Sequence, residues 1–211
     1  MKNKSRDNLL KIVQTGLMAA IIGAMLLTKT AFLPVVPLAL TITLLVIPVT
    51  VGAILIGPAA GAFLGLVFGL ASFAQCFGAD PTGVYLFSVN PFLTFILCVI
   101  PRILMGFLVG LIFSGLIKTR VNTIAPYLVA SATGALLNTI LFLGTLVLLF
   151  WNDPTINEGL GSLKKIVMVA LGLNATLELV ACVVIGTPVT KAVSLALGKF
   201  RSAPQKTVSQ S

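Results

Sequence analysis

Charged and polar chemistry is scarce in this sequence. Only 9% of its 211 residues are charged and none is a histidine, while 58% are hydrophobic and the mean hydropathy is +1.12. Soluble domains carry about 25% charged residues, so the composition predicts a polytopic membrane protein. The missing histidine excludes a histidine metal site and histidine acid–base chemistry.

Motifs for catalysis are also missing from the sequence. It has no GxxxxGK[ST] phosphate loop, so we do not expect ATP hydrolysis by that route. Its five acidic residues form no carboxylate pair for hydrolysis. Cys76, Cys98 and Cys182 lie in apolar runs without paired spacing and are expected to be small buried hydrophobes. The sequence therefore predicts neither an enzyme nor a bound metal or cofactor.

Apolar segments divide the chain into six predicted helices. A helix needs about 20 residues to cross a bilayer, and the segments lie at about residues 8–27, 39–56, 59–76, 91–117, 124–150 and 163–197. The last is too long for one untilted crossing, so we expect residues 188–200 to lie along the membrane interface. The predicted fold is an all-α bundle of six transmembrane helices. Residues 1–200 form one membrane domain, followed by a polar tail at 201–211.

The distribution of lysine and arginine predicts the orientation of the bundle. If the N-terminus lies inside the cell, the inner segments hold ten of these residues and the outer segments hold three, with Arg102 left inside the membrane. This bias follows the positive-inside rule and predicts a multi-pass protein of the cell membrane with both termini cytoplasmic. It also accounts for the net charge of +9 without a nucleic-acid partner.

Small residues recur at a spacing of four in three of the predicted helices. Such a spacing places them on one helix face, where another helix can approach closely. For the third and fourth helices we expect packing inside the bundle. For the first helix, packing inside the bundle and docking of another membrane subunit are both open. The residues are Gly16, Ala20 and Ala24 in the first helix, Gly57, Gly61, Gly65 and Gly69 in the third, and Gly106 and Gly110 in the fourth.

Three predicted outer connections are rich in turn-forming or helix-disfavouring residues. "CFGADPTGVYLFSVNP" (76–91) and "WNDPTINEGLGS" (151–162) contain Gly, Pro, Asp and Asn, and the prolines of "TAFLPVVPLAL" (30–40) disfavour a helix. These connections could cover a pocket that opens outward. Trp151 could equally serve only as an anchor at the membrane surface.

An arginine lies deep in the fourth predicted helix, in "VIPRILMG" (99–106). At about 1.5 Å per residue, Arg102 is roughly 16 Å below the outer end of its helix and Glu178 roughly 22 Å below the outer end of the sixth. Asn174 precedes Glu178 by one turn, and Asn138 lies midway along the fifth helix. A charge at this depth costs several kcal/mol unless it is paired or hydrated, so we expect these side chains to converge inside the bundle.

Two interpretations of this polar group are open. In one, an ion pair between Arg102 and Glu178 only fixes helix packing. In the other, Arg102 receives an anionic or carbonyl-bearing ligand, because its planar donors match a carboxylate. Asn138, Asn174 and Glu178 then take hydroxyls or amides of the ligand, and Asn90 completes the predicted substrate-binding set. Pro101 contributes by freeing a backbone carbonyl near residue 97.

Four stretches together resemble the substrate-binding S component of an energy-coupling factor (ECF) vitamin transporter. The resemblance covers roughly residues 8–197 and is greatest to the pantothenate-type branch. It implies a protein that binds a vitamin from outside and does no chemistry itself. The stretches are "GLMAAIIGA" (16–24), "IPVTVGAILIGPAAGAFLGLVFGLAS" (47–72), "NPFLTFILCVIPRILMG" (90–106) and "GALLNTILFLG" (134–144).

The resemblance also implies partner subunits. An S component docks through a small-residue face of its first helix on a transmembrane scaffold that is coupled to two cytoplasmic ATPases. Here that face maps to Gly16, Ala20 and Ala24, with glycine where the family has alanine.

The substrate is a separate prediction. Pantothenate has a carboxylate for Arg102 and hydroxyls and an amide for the asparagines, but riboflavin, cobalamin or another small nutrient is open. The alternative from a different class is a stand-alone proton-coupled carrier that uses Glu178.

Overall fold

The computed structural model describes residues 4–28, 32–36, 40–117, 124–150 and 176–202. The described helices are, in chain order, α1 (Lys4–Leu27), α2 (Val46–Ile56), α3 (Pro58–Gln75), α4 (Pro81–Val89), α5 (Pro91–Leu116) and α6 (Ala125–Phe150). A seventh helix, α7, is described from Thr176. It includes a π-helical turn at Cys182–Gly186 and continues as an α-helix over Thr187–Ser202.

The described residues contain five helices that are long and apolar enough to cross a membrane. They are Asn8–Leu27, Pro58–Gln75, Pro91–Leu116, Ala125–Phe150 and Thr176–Leu195. These helices confirm the prediction of a helical membrane bundle. The count of six membrane helices and the cytoplasmic position of both termini stay predictions. With its 11 residues, α2 is about 16 Å long, which is shorter than a hydrocarbon core. Trp151, the start of the predicted sixth segment and residues 203–211 lie outside the described residues.

The predicted second helix is wrong at its start. Residues Phe32–Val36 (β1) pair antiparallel with Leu40–Thr43 (β2), with Phe32 opposite Thr43. Pro34 disfavours a helix on the first strand, and the β-branched run Thr41, Ile42 and Thr43 prefers a pleated backbone. A two-residue turn follows this hairpin, and α2 begins only at Val46.

The connection between α3 and α5, predicted as a turn-rich loop, contains the short helix α4. Asp80 Oδ2 accepts a hydrogen bond of 3.1 Å from the Gly83 N–H. Pro81 is the first residue of the helix, where its missing N–H has no cost. Asn90 then caps α5, since its Oδ1 accepts from the N–H groups of Phe92 and Leu93 at 3.1 Å each.

The short helix α2 lies at the centre of the bundle. Eight of its residues, including Val49 and Thr50, are buried, as expected of a helix that is apolar on all sides. It packs in one core with Leu64 and Phe68 of α3 and with Met105 of α5. The core is therefore built around α2, α3 and α5.

Glycines bring α3 and α5 into backbone contact. A Cβ placed on Gly61 would collide with the backbone of Gly106, and one on Gly110 would lie 2.6 Å from Pro58 Cα. A Cβ on Gly65 would lie 2.8 Å from the carbonyl carbon of Arg102. The prediction that small residues pack these two helices inside the bundle is confirmed. The same contact fixes the backbone from which the Arg102 side chain extends.

Candidate functional site

The Arg102 side chain is buried in the bundle, with 8% of its surface exposed. Its Nη1 donates a hydrogen bond of 2.9 Å to the backbone carbonyl oxygen of Leu97. Because Pro101 has no N–H, the carbonyl four residues earlier has no helical donor. The Leu97 carbonyl, which Pro101 leaves free as the sequence predicted, thus accepts a hydrogen bond from Arg102.

Three helices surround the guanidinium. Its Cζ lies 4.4 Å from the ring centroid of Phe142 on α6 and 5.5 Å from that of Phe68 on α3, and both distances permit a cation–π attraction. Its Nη2 is 3.5 Å from Ser72 Oγ on α3, which is the outer limit of a hydrogen bond. All the contacts described so far are with neutral groups, and none of them is an ion pair.

Sequence reasoning missed Phe68, Ser72 and Phe142. A weak signal existed for two of them. Ser72 extends the face of α3 that carries Gly65 and Gly69 by one further turn, and Phe142 lies one turn after the predicted site residue Asn138.

A second buried polar contact joins α6 to α7. Asn138 Nδ2 donates a hydrogen bond of 2.9 Å to Glu178 Oε1, and these side chains are only 6% and 3% exposed. Asn138 is one helical turn from Phe142, the ring that covers the guanidinium. The structure therefore places Arg102, Asn138 and Glu178 in one polar layer across α5, α6 and α7.

The opposite charges in this layer do not pair directly. Within the described part of the chain, no ion pair of 4.0 Å or less joins Arg102 to Glu178. Two buried atoms, Arg102 Nε and Asn138 Oδ1, find no hydrogen-bond partner among the described residues. One is a donor and the other an acceptor, so each has a hydrogen bond that the described residues do not supply. The interpretation of a plain Arg102–Glu178 ion pair is not what this geometry shows.

The structure places one further predicted substrate-binding residue, Asn90, away from this layer. Asn90 is at the N-terminus of α5, with its Oδ1 engaged in the helix cap. It is roughly 18 Å from Arg102 along the helix axis. Asn174 lies outside the described residues. A role for Asn90 or Asn174 in substrate binding stays a prediction.

The small-residue face of α1 lies on the surface. Gly16, Ala20 and Ala24 are all exposed, and a Cβ on Gly16 would meet nothing within 4 Å. A groove of about 600 Å³ between α1 and the α2–α3 turn borders this face, with Gly16, Lys11 and Pro58 in its lining. In the described structure this face takes no part in packing the bundle, which leaves it available to another subunit.

The cysteines and acidic residues that the structure describes do not form a metal centre. No cluster of three or more His, Cys, Asp or Glu that could hold a metal ion occurs among the described residues. The three cysteines are free and buried, as predicted. The Sγ atoms of Cys76 and Cys98 lie 3.9 Å apart, a proximity that their spacing of 22 residues did not reveal.

Comparison with known proteins identifies the family of this chain. Residues 10–190 match the family described as "ECF transporter, substrate-specific component". The chain is also 32% identical over 164 residues to the pantothenic acid transporter PanT of Lactococcus lactis subsp. cremoris (strain MG1363), which covers 73% of this chain and 78% of the relative. The molecule is thus a multi-pass transport component of the cell membrane rather than an enzyme. It belongs to the family of ECF transporter substrate-specific components, as the sequence motifs predicted.

Proposed function

We propose that this chain captures pantothenate from outside the cell. It then delivers the vitamin by docking on a transmembrane scaffold that is coupled to two cytoplasmic ATPases. The observation that carries the proposal is the buried guanidinium of Arg102, whose described contacts are all neutral and whose Nε has no partner among the described residues. The similarity to a pantothenic acid transporter supports the choice of substrate.

An anionic ligand would give the Arg102 guanidinium the direct ion-pair partner that the described residues do not supply. A charge in the membrane interior costs several kcal/mol unless a partner compensates it. A carboxylate at Arg102 would supply that partner through a charge-assisted hydrogen bond. Pantothenate has one carboxylate, and its hydroxyls and amide suit the layer formed by Asn138 and Glu178. The aromatic rings of Phe68 and Phe142 keep water from the guanidinium and strengthen the attraction.

The exposed face of α1 supports the docking part of the proposal. Gly16, Ala20 and Ala24 lie in line on the surface with no packing role in the described structure. Small residues in such a row permit close approach of another membrane helix. The proposal places both termini in the cytoplasm in a bundle of six membrane helices, as the lysine and arginine distribution predicts.

Reconstitution tests the proposed function against the carrier alternative. Labelled pantothenate is offered to proteoliposomes that contain this chain alone or this chain with scaffold and ATPases. We expect the chain alone to bind pantothenate without transporting it and the full complex to accumulate it with ATP. Pantothenate uptake by the chain alone, driven by a pH gradient and indifferent to ATP, would instead establish a proton-coupled carrier. Glu178, buried without an ion-pair partner in the described structure, favours that second candidate.

A further inference from the structure

The hydrogen bond between Asn138 and Glu178 gives the Asn138 amide a direction. The side-chain amide of asparagine has a donor end, Nδ2, and an acceptor end, Oδ1, whereas an ionised carboxylate only accepts. In the structure Nδ2 faces Glu178 Oε1 at 2.9 Å. Oδ1 is therefore turned away from Glu178 and is left without a partner among the described residues.

The reverse orientation of the amide is unfavourable beside an ionised Glu178. It would place two acceptor oxygens against each other at hydrogen-bond distance in a site where both side chains are more than nine-tenths buried. It would also remove the N–H donor that Glu178 Oε1 has in the structure. A single orientation of Asn138 therefore dominates as long as Glu178 carries a carboxylate.

We propose that Glu178 is a positioning residue that fixes Asn138 with its Oδ1 toward the substrate. The site then requires a ligand with two features: an anionic or acceptor group for the unpartnered Arg102 Nε, and a hydroxyl or amide N–H donor for Asn138 Oδ1. This inference rests on the proposed function, because it assigns a specificity role within the same binding site.

The variant Glu178→Gln tests the role without changing the size of the side chain. A glutamine amide can either accept from Asn138 Nδ2 or donate to Asn138 Oδ1. In the variant, Asn138 is free to turn and to offer Nδ2 to a ligand that has only an acceptor. The variant should therefore gain affinity for such ligands, which a loss of packing alone would not produce.

Three analogues of pantothenate supply the measurement, each lacking one donor. A ketone replaces the secondary hydroxyl in the first, an aldehyde replaces the primary hydroxyl in the second, and an ester replaces the amide in the third. Wild type should bind one of the three about a hundredfold more weakly than pantothenate. In Glu178→Gln this ratio should fall to a few-fold, through tighter binding of the analogue. An unchanged ratio for all three analogues, in a variant that unfolds at the wild-type temperature, would overturn the inference.

A readout without ligand separates this inference from the proposed function. The side-chain amide protons of Asn138 are observed by NMR in ¹⁵N-labelled protein and assigned by their loss in Asn138→Asp. One proton should be shifted downfield in wild type by its bond to the carboxylate, and the shift should be lost in Glu178→Gln. If the shift is present but pantothenate does not bind, only the proposed function fails. If the shift is absent from wild type, Glu178 does not fix Asn138 and the inference fails.

Discussion

Replacing Gly65 by alanine should disturb the backbone that carries Arg102. The added Cβ would lie 2.8 Å from the Arg102 carbonyl carbon and 3.0 Å from Ile103 Cα, whereas ordinary contacts begin at 3.4 Å. Because these neighbours are backbone atoms and the Arg102 carbonyl oxygen lies closer still, α3 and α5 must separate by more than the 0.6 Å between 2.8 and 3.4 Å. Overpacking of this kind costs about 1–3 kcal/mol.

Thermal unfolding of the detergent-solubilised protein and calorimetric titration with pantothenate check this prediction. We expect Gly65→Ala to unfold at a clearly lower temperature and to bind pantothenate about tenfold more weakly, since one lost hydrogen bond at Arg102 amounts to about 1.4 kcal/mol. Gly144→Ala on α6 is the matched control, because a Cβ there meets nothing within 4 Å. Its unfolding temperature should be unchanged or slightly raised. Equal stability of the two variants would refute the close α3–α5 contact as the support of Arg102.

Three further substitutions test the cation–π contact at Arg102, the N-terminal cap of α5 and the proposed docking face of α1. Phe142→Leu should weaken pantothenate binding by up to about thirtyfold, because a desolvated cation–π contact contributes about 2 kcal/mol, and calorimetry that shows unchanged affinity would contradict this contribution. Asn90→Ala should lower the unfolding temperature through loss of a helix cap of about 1 kcal/mol, and Asn90→Asp should restore it by keeping the acceptor oxygen. Ala20→Trp should abolish uptake by the full complex while pantothenate binding persists, because indole bulk blocks close helix approach. Ile21→Trp is the control for the α1 variant, about 100° around the helix, and equal effects of these two variants on uptake would argue against a docking face.

Much of the helical framework could be predicted from sequence, because long apolar runs determine membrane helices almost alone. The bounds of α5 and α6 fall within a residue or two of those predicted. The sequence analysis predicted a helix over residues 40–43, where the structure has a strand, because hydropathy does not distinguish an apolar strand from an apolar helix. The short helix α4 was missed because turn-forming residues such as Asp80 and Pro81 also begin helices.

The candidate site could be predicted only in part. Depth along each helix placed Arg102, Asn138 and Glu178 at similar levels, and Pro101 correctly indicated a freed carbonyl. The position of a residue along its helix axis does not determine the direction in which its side chain points around that axis. The partner of Glu178 was therefore undetermined until Asn138 was seen to donate to it. The aromatic contacts depend on how α3, α5 and α6 pack, which single-helix patterns do not specify.

The proposed function depends most on the pairing of the Arg102 guanidinium with the carboxylate of the ligand. The direct test compares pantothenate with a neutral analogue, in which a hydroxymethyl group replaces the carboxylate, on wild type and on Arg102→Gln. Wild type should prefer pantothenate by about a hundredfold, since a hydrogen bond between charged groups contributes about 1.5–3 kcal/mol. In the variant, which keeps a side chain able to hydrogen-bond but carries no charge, this preference should disappear. If a folded Arg102→Gln variant still distinguishes the two ligands as wild type does, the carboxylate binds elsewhere and Arg102 serves only packing.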